Sequence, residues 1–184
     1  MIAVLFATGF EEVEALAPVD LLRRAGLVVV MTGVDGETVT GSHGINLKMD
    51  AKIEEIDKED VEALVLPGGL PGTLNLEKSS AVQELITHCA EQGKLIAAIC
   101  AAPSILAHRG LLQGKTAISF PDFQKDLQEG GAVLSDSYVC EDGNFITARG
   151  MGVATQFGLK LVERLVSPEK AAELREKIQW ESEK

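Results

Sequence analysis

The chain has 184 residues and carries 28 acidic against 17 basic side chains, which gives a formal net charge of −11. A surface this acidic repels phosphate backbones and anionic headgroups, which argues against nucleic acids and anionic membranes as main partners. The length suits one domain of ordinary size, and we expect residues 1–184 to form it. The three cysteines are odd in number and widely spaced, which favours a reducing compartment and hence the cytoplasm.

The first half of the sequence alternates strand and helix patterns. The apolar run at residues 2–6 is short and is followed by acidic residues, so it predicts a strand rather than a signal peptide. Apolar residues at helical spacing then predict a helix from Glu11 that ends at Gly26. The other elements predicted here are a strand at 27–32, a small hairpin within 34–50, a charged connection at 54–60, a strand at 63–66, and a helix that Ser79 or Ser80 caps and that reaches Gln92.

The second half continues the same alternation. An apolar strand begins at Leu95 and is followed by a short helix that ends before Gly110. The remaining predicted elements are a short strand at 116–119, a loop with a helical turn at 120–129, strands at 132–134, 138–141 and 145–148, a strongly amphipathic helix at 151–166, and a last helix that Ser167 and Pro168 open and that ends near Trp180.

Strands that alternate with helices predict an α/β fold, doubly wound, with a mostly parallel sheet and helices on both faces. Ligands of such folds bind outside the carboxyl ends of the strands. Three loops follow strands at that edge, at residues 9–14, 67–72 and 100–103. We therefore expect these loops to meet and to form the functional site.

Cys100 stands where the strand from Leu95 turns sharply into the next helix. Ala98 and Ala102 flank it at two residues' distance, and a nucleophile on a tight strand-to-helix turn needs such small neighbours. Pro103 suits the first helical turn, because its missing N–H has no helical partner to lose. A thiol at a helix N-terminus is predicted to have a lowered pKa. The alternative is that Cys100 is a small buried core residue.

Five segments together resemble one known family. They are Gly-Phe-Glu-Glu-Val-Glu at 9–14, Pro-Val-Asp-Leu-Leu-Arg-Arg-Ala-Gly at 18–26, Leu-Pro-Gly-Gly at 66–69, Ala-Ala-Ile-Cys-Ala-Ala-Pro at 97–103, and Arg-Gly-Met-Gly at 149–152. In this order they resemble the ThiJ/PfpI superfamily in its DJ-one (parkinsonism-associated deglycase) branch, and its bacterial members in particular. The resemblance implies a flavodoxin-like sandwich of the class I glutamine amidotransferase type.

The resemblance also implies a set of site residues. Cys100 is the nucleophile, and Glu14 is the buried carboxyl that meets it and moves protons. The backbone N–H groups of Gly69 and Ala101 hold a developing alkoxide, and Gly68 and Phe120 line the substrate site. Without the resemblance, Glu14 would read as a solvated acid of a first helical turn and the glycines as an ordinary turn. Glu11 and Glu12 keep that solvated interpretation.

The histidines depart from the patterns of related proteins. The founding member of the branch has a histidine where this chain has Phe120, and the protease-like branch has one where this chain has Ala101. The amidotransferases of this fold use a histidine far downstream, but no histidine follows His108. We therefore expect no Cys–His dyad from those positions and no protease. All three histidines, His43, His88 and His108, are expected to be structural or solvated, with a site near a subunit boundary as the alternative for His43 in the hairpin. Cys89 and Cys140 are expected to be packing residues.

Two functions use this set of residues. The first is an enzyme that converts methylglyoxal-type 2-oxoaldehydes, or their early adducts with thiols and amines, through a hemithioacetal on Cys100. The second is a redox-responsive chaperone or oxidative-stress sensor that uses the same cysteine. Neither requires a metal or an organic cofactor, and no phosphate-binding loop supports a role in thiamin biosynthesis. The family resemblance also implies a homodimer, with contacts near Arg23, Arg24 and His43.

Overall fold

The structure is a computed structural model that describes residues 1–180. In chain order its elements are β1 (Ile2–Phe6), α1 (Glu12–Arg24), β2 (Val29–Gly33), β3 (Thr38–Thr40), β4 (Asn46–Lys48), β5 (Ala51–Lys52), β6 (Ala63–Leu66), α2 (Gly72–Lys78), α3 (Ser80–Glu91), β7 (Leu95–Ile99), α4 (Pro103–His108), β8 (Thr116–Ala117), α5 (Gln124–Glu129), β9 (Val133–Leu134), β10 (Val139–Asp142), β11 (Phe145–Ala148), α6 (Ala154–Leu165) and α7 (Pro168–Lys177). Short 3-10 helices occur at Ile53–Glu55, Lys58–Asp60, Pro121–Phe123 and Met151–Val153.

The main sheet has seven strands in the order β10-β11-β7-β6-β1-β2-β5. Every neighbouring pair is parallel except β10 and β11, which form an antiparallel hairpin at one edge. The central strands β1, β6 and β7 are buried along their whole length, as their unbroken apolar sequences require. The mostly parallel, doubly wound α/β fold predicted from the sequence is confirmed.

Two hydrophobic cores lie on the two faces of this sheet. Alternate residues of β1 divide between them, with Ile2, Val4 and Phe6 in one core and Ala3 and Leu5 in the other. Helices α1, α6 and α7 cover the first face, and α3, α4 and α5 contribute to the second. The described helices include none with the length and apolarity that crossing a membrane requires.

The structure differs from the sequence prediction in short segments. Strand β5 was not predicted, because two residues that pair only with Thr32 and Gly33 leave no periodic pattern. Helix α2 was not predicted either, because it begins at Gly72 directly after Pro71, and both residue types usually indicate a turn. The helix predicted from Met151 is instead a 3-10 turn followed by α6 from Ala154. Strand β5 adds an edge strand to the main sheet next to β2, whereas the other two differences lie outside the sheet.

The three loops at the carboxyl ends of the parallel strands do meet. The N–H of Glu11 donates to the carbonyl of Gly68 at 2.9 Å, and the N–H of Gly72 donates to the carbonyl of Gly9 at 3.1 Å. The N–H of Cys100 donates to the carbonyl of Ala148 at 2.9 Å, which ties the end of β7 to the end of β11. Backbone hydrogen bonds thus hold the first loop to the glycine turn, and the cysteine turn packs against both, since Gly68 lies close to Cys100 and Glu14.

Candidate active site

Cys100 forms the turn between β7 and α4 in a conformation that is rare for its residue type. Its φ of 65° lies in the left-handed region, which costs a residue with a Cβ atom about 1 kcal/mol or more. The surrounding structure holds it there, because its N–H is bonded to Ala148 and its carbonyl accepts the N–H of Phe120 at 2.8 Å. Ala98 and Ala102 are fully buried on either side, as the tight turn requires. The thiol itself is half-buried.

Glu14 lies in the first turn of α1 and points inward. Its side chain is 1% exposed, and its Oε2 atom is buried without a hydrogen-bond partner. A Cβ atom added to Gly68 would come within 2.5 Å of both Glu14 Oε2 and Cys100 Cβ. The absence of a side chain at Gly68 therefore allows the carboxyl and the thiol to share one space. The interpretation of Glu14 as a solvated acid is wrong.

Burial controls the protonation of Glu14. Desolvation raises its pKa to about 7 from an ordinary value of 4.5, and the negative charge of Glu11 acts in the same direction. The Cys100 thiol and the backbone N–H groups of Gly68 and Met151 oppose this rise. The carboxyl consequently changes its charge near neutral pH, which suits a group that both takes and gives a proton.

The prediction of a lowered thiol pKa is wrong. Burial raises the pKa of Cys100 to about 12, and the negative charge of Glu14 contributes to the rise. The backbone N–H groups of Gly69 and Ala101 lower it, as expected for donors at the start of a helix, but their effect is smaller. Between these two pKa values the Glu14–Cys100 pair holds a single proton. Ionised Glu14 can therefore act as the base that removes the thiol proton.

The two predicted alkoxide donors lie beside the thiol. Their effect on the Cys100 pKa means that the N–H groups of Gly69 and Ala101 face the sulfur atom. Gly69 has a φ of 93°, and a Cβ atom there would lie 2.3 Å from the backbone nitrogen of Glu11. Glycine is thus required both for the turn and for the close approach of the first loop. Ala101 is buried directly after the cysteine.

A cavity of about 270 Å³ opens over the thiol. Its lining includes Glu11, His43, Leu70, Cys100, Phe120 and Asp122. The prediction that Phe120 lies at the substrate site is consistent with its place in this wall, and Gly68 lies behind the thiol against Glu14. A second cavity of about 410 Å³ shares Phe120 and extends past Tyr138, Arg149 and Met151. There the Arg149 guanidinium lies 4.5 Å from the centre of the Tyr138 ring.

Glu12 and His43 form a pair that the sequence did not indicate. Glu12 is only 5% exposed, so its interpretation as a solvated acid is wrong. Its Oε1 accepts the backbone N–H of His43 at 2.8 Å, and its Oε2 lies 2.9 Å from His43 Nδ1. Burial raises the pKa of Glu12, but these bonds outweigh it and lower the pKa to about 2. The pair fixes the β3–β4 hairpin against α1 and brings His43 to the wall of the thiol cavity.

Glu11 also has a structural task. Its Oε2 accepts the backbone N–H of Glu14 at 2.7 Å, which caps the first turn of α1. Glu11, Glu12 and His43 bring ligand atoms within 4.8 Å of one another, a spacing that a metal ion can use. Glu11 and Glu12 already accept the hydrogen bonds just described, so this cluster is accounted for without an ion.

The other histidines and cysteines lie away from the thiol cavity. His88 lies on α3, and its Nε2 contacts Lys94 Nζ at 3.0 Å. His108 Nδ1 contacts Glu77 Oε1 at 2.6 Å. Cys89 is fully buried, and burial raises its pKa to about 11. Cys140 on β10 donates its S–H to the carbonyl of Thr116. Their positions agree with the structural and packing roles expected from the sequence.

The fold and the geometry of the site define a class of protein. It is a doubly wound α/β protein whose cysteine stands on a sharp strand-to-helix turn, next to a buried carboxyl. Residues 1–164 match the model of the DJ-1/PfpI family. The chain belongs to the DJ-1/PfpI family, as its motifs indicated.

Individual comparisons agree with this assignment. The chain is 39% identical to the Drosophila melanogaster protein dj-1beta over 172 residues, which cover 93% of this chain and 92% of that protein. It is 34% identical to a Pyrococcus horikoshii protein named a deglycase, over 79% of this chain and 89% of that one. Among solved structures, oxidized Toxoplasma gondii DJ-1 superposes with a TM-score of 0.93 at 35% identity and covers 98% of both chains.

Proposed function

We propose that the chain is a cysteine-dependent glyoxalase or deglycase. Its substrates are methylglyoxal-type 2-oxoaldehydes or their early adducts with thiols and amines. The observation that carries the proposal is the contact of the Glu14 carboxyl with the Cys100 thiol across Gly68, with a Glu14 pKa of about 7. Archaeal relatives named deglycases support the same activity.

The proposed reaction begins with addition of the thiol to the aldehyde. Ionised Glu14 takes the Cys100 proton as sulfur bonds to the aldehyde carbon, and the carbonyl oxygen becomes an alkoxide that the Gly69 and Ala101 N–H groups stabilise. Glu14 returns the proton to that oxygen and yields a hemithioacetal. It then takes the proton from the former aldehyde carbon and gives it to the neighbouring carbonyl carbon, while the hydroxyl proton passes to the oxygen of that neighbouring carbon, which converts the hemithioacetal into a lactoyl thioester. Water cleaves the thioester to lactate and restores the thiol.

This sequence of steps predicts how the rate depends on pH. The first step needs ionised Glu14, whose pKa is raised to about 7 by burial. We expect kcat/KM for methylglyoxal to rise between pH 6 and pH 8 and then to level. A rate that is constant across this range would remove Glu14 as the base.

Lactate formation tests the proposal directly. Purified wild-type protein and the Cys100→Ser variant are incubated with methylglyoxal in chelator-treated buffer without glutathione, and lactate is measured. We expect lactate from wild type and at least 100-fold less from Cys100→Ser, whereas Cys140→Ser is the matched control and should retain activity. Depletion of methylglyoxal by both wild type and Cys100→Ser without lactate would mean covalent scavenging and would contradict the enzyme.

A redox-responsive chaperone or sensor is the second candidate. Two observations favour it. A solved relative is described as oxidized, and in this chain N–H donors and the Glu14 carboxyl surround the Cys100 thiol. Limited peroxide followed by peptide mass spectrometry should add oxygen to Cys100 before Cys89 or Cys140, because Cys100 opens onto the cavity and ionised Glu14 can remove its proton despite the raised thiol pKa. Preferential oxidation of either other cysteine would reject this candidate. Should the lactate assay also fail, this function takes first place.

We also propose that the chain forms a homodimer in the cytoplasm. The family resemblance supports the dimer, with contacts near Arg23, Arg24 and His43, and Val13 on α1 and Ile45 in the hairpin are exposed apolar residues. Two-fold contacts are the commonest symmetric arrangement. The three free cysteines suit a reducing compartment. Light scattering at micromolar concentration should give twice the 19.6 kDa of one chain, and a mass of 19.6 kDa would contradict the dimer.

A further inference from the structure

We infer that the cavity over Cys100 selects cationic and neutral carbonyl compounds over anionic ones, and that Asp122 is the residue that sets this preference. The inference rests on the proposed function, since it specifies which carbonyl compounds reach the thiol. An adduct of a 2-oxoaldehyde with an arginine or lysine side chain carries a positive charge and would be favoured. A 2-oxo acid such as glyoxylate carries a negative charge and would be disfavoured.

The charges on the cavity wall carry the argument. Two carboxyl groups, those of Glu11 and Asp122, line the cavity. Among the described residues that line it, His43 is the one that can become positive. That charge is already matched, because His43 Nδ1 lies 2.9 Å from the buried Glu12 Oε2. The wall therefore retains an excess of negative charge whether His43 is protonated or not.

The field of this wall reaches the reacting groups. The charge of Glu11 on the cavity wall raises the pKa of Glu14, so this wall carboxylate acts on the group next to the thiol. Glu14 lies against Gly68 and Cys100 behind the thiol, and its ionised form adds negative charge at the base of the cavity. An anionic substrate would meet negative charge at the rim and again at the base of the cavity.

The apolar part of the wall suits a cation as well. Phe120 and Phe123 line the cavity, and both Phe120 and Leu70 are exposed. Aromatic faces attract guanidinium and ammonium groups, and a flat guanidinium stacks well on such a ring. Carboxylates next to aromatic rings are thus complementary to an arginine or lysine side chain that carries the aldehyde adduct.

Asp122 is the wall carboxylate that can be replaced without breaking a side-chain hydrogen bond or ion pair of the described residues. It lies in the 3-10 helix Pro121–Phe123, its side chain is exposed, and no hydrogen bond or ion pair within the described residues uses it. Glu11, in contrast, caps α1 and accepts the N–H of Glu14. Replacing Glu11 would therefore displace the Glu14 carboxyl from its position beside the thiol. We therefore place the test on Asp122.

Charged thiol reagents measure the preference without any turnover. A trimethylammonium-ethyl and a sulfonato-ethyl methanethiosulfonate each transfer their alkylthio group to the thiol and release methanesulfinate. Their rate constants on Cys100 are followed by peptide mass spectrometry at low ionic strength, and the ratio of the two is divided by that of a cysteine peptide. We expect a normalised cation-to-anion ratio of about ten or more.

Variants connect the ratio to Asp122. Asp122→Asn should lower it at least threefold, Asp122→Lys should lower it further, and added salt should reduce all differences. Glu91→Gln is the matched control, because it removes one exposed carboxylate at the end of α3, before the amino end of β7, whereas Cys100 follows the carboxyl end of that strand, and it should leave the ratio unchanged. A wild-type ratio near or below one overturns the inference, and so does an Asp122→Asn ratio equal to that of wild type.

Substrate turnover separates this inference from the proposed function. Phenylglyoxal and its derivatives with a para trimethylammonium or carboxylate group differ mainly in charge. We expect kcat/KM to decrease from the cationic to the neutral to the anionic compound, and this order should weaken in Asp122→Asn. If none of the three is converted, the proposed function fails, whereas the reagent ratio still decides whether the cavity selects by charge.

Discussion

Two glutamates of one helical turn behave in opposite ways. Glu12 and Glu14 both lie at the start of α1, and both side chains are buried. Glu12 has a pKa lowered to about 2 and accepts hydrogen bonds with both of its oxygens. Glu14 has a pKa raised to about 7, and its Oε2 has no partner. Burial alone therefore does not decide the charge of a carboxyl; the groups that meet it do.

Helix geometry explains why the two glutamates meet different groups. Residues two apart on a helix point about 200° away from each other. Glu12 thus faces the β3–β4 hairpin, where His43 and Ser42 supply donors. Glu14 faces the ends of the parallel strands, where Gly68 leaves room and Cys100 supplies a thiol. The contacts of Glu12 stabilise the fold, whereas the surroundings of Glu14 allow it to bind and release a proton near neutral pH.

The largest effect is expected from Glu14→Gln. Glutamine fills the same space and can still donate a hydrogen bond, but it cannot exchange a proton. We expect lactate formation to fall at least 100-fold, with an unchanged circular dichroism spectrum. Glu91→Gln serves as the control with ordinary activity. A folded Glu14→Gln protein with near wild-type turnover would remove Glu14 from the mechanism.

The same variant should change how stability depends on pH. Because Glu14 holds its proton more tightly when folded, its contribution is complete below pH 4.5 and is lost as the pH rises through about 7. The stability of wild type relative to Glu14→Gln should fall by about 3 kcal/mol between pH 4 and pH 8. Urea unfolding at both pH values measures it, and a difference that does not change with pH would show that the Glu14 pKa is ordinary.

An intermediate effect is expected from Gly68→Ala. The added methyl group would overlap both Glu14 Oε2 and Cys100 Cβ, each at 2.5 Å. We expect a loss of about 1–3 kcal/mol in stability and a drop of about tenfold or more in kcat, because the carboxyl and the thiol are pushed apart.

Gly152→Ala provides the comparison for this variant. A Cβ atom at Gly152 would have no neighbour within 4 Å, so this substitution should be tolerated. Thermal unfolding and lactate formation are measured for both variants. Equal behaviour of Gly68→Ala and Gly152→Ala would contradict the close contact across Gly68.

The smallest effect is expected from Glu12→Gln. The variant loses the charge-assisted bonds to His43, but the exposed His43 ring is screened by water, so we expect a loss of about 1 kcal/mol at pH 7. Since the folded pKa of Glu12 is about 2, its contribution is present above pH 4.5 and declines as the pH falls toward 2.

The gap between wild type and Glu12→Gln should therefore narrow from pH 5 to pH 3, opposite in sign to the trend for Glu14. Thermal unfolding across that range checks it. A gap that widens on acidification would place the low pKa on another group.

Local sequence patterns determined most of the fold. Unbroken apolar runs specify the buried strands β1, β6 and β7, and helical spacing with caps such as Ser79 and Ser167 specifies the long helices. These signals come from residues close together in the chain, so they can be identified from the sequence alone. Short elements such as β5 depend on a partner strand and leave no such signal.

The candidate site divides in the same way. The turn at Cys100 and the glycines at 68 and 69 are visible in the sequence because small residues mark tight turns. The sign of each pKa shift was decided only by tertiary structure, because burial and Glu14 outweigh the helix donors at Cys100. The contacts of Glu12 with His43, 31 residues away, and of Glu14 with Cys100 exist only once the loops meet. The spacing of residues in the sequence identifies the candidate site residues, and the packing of the folded chain determines the protonation state of each.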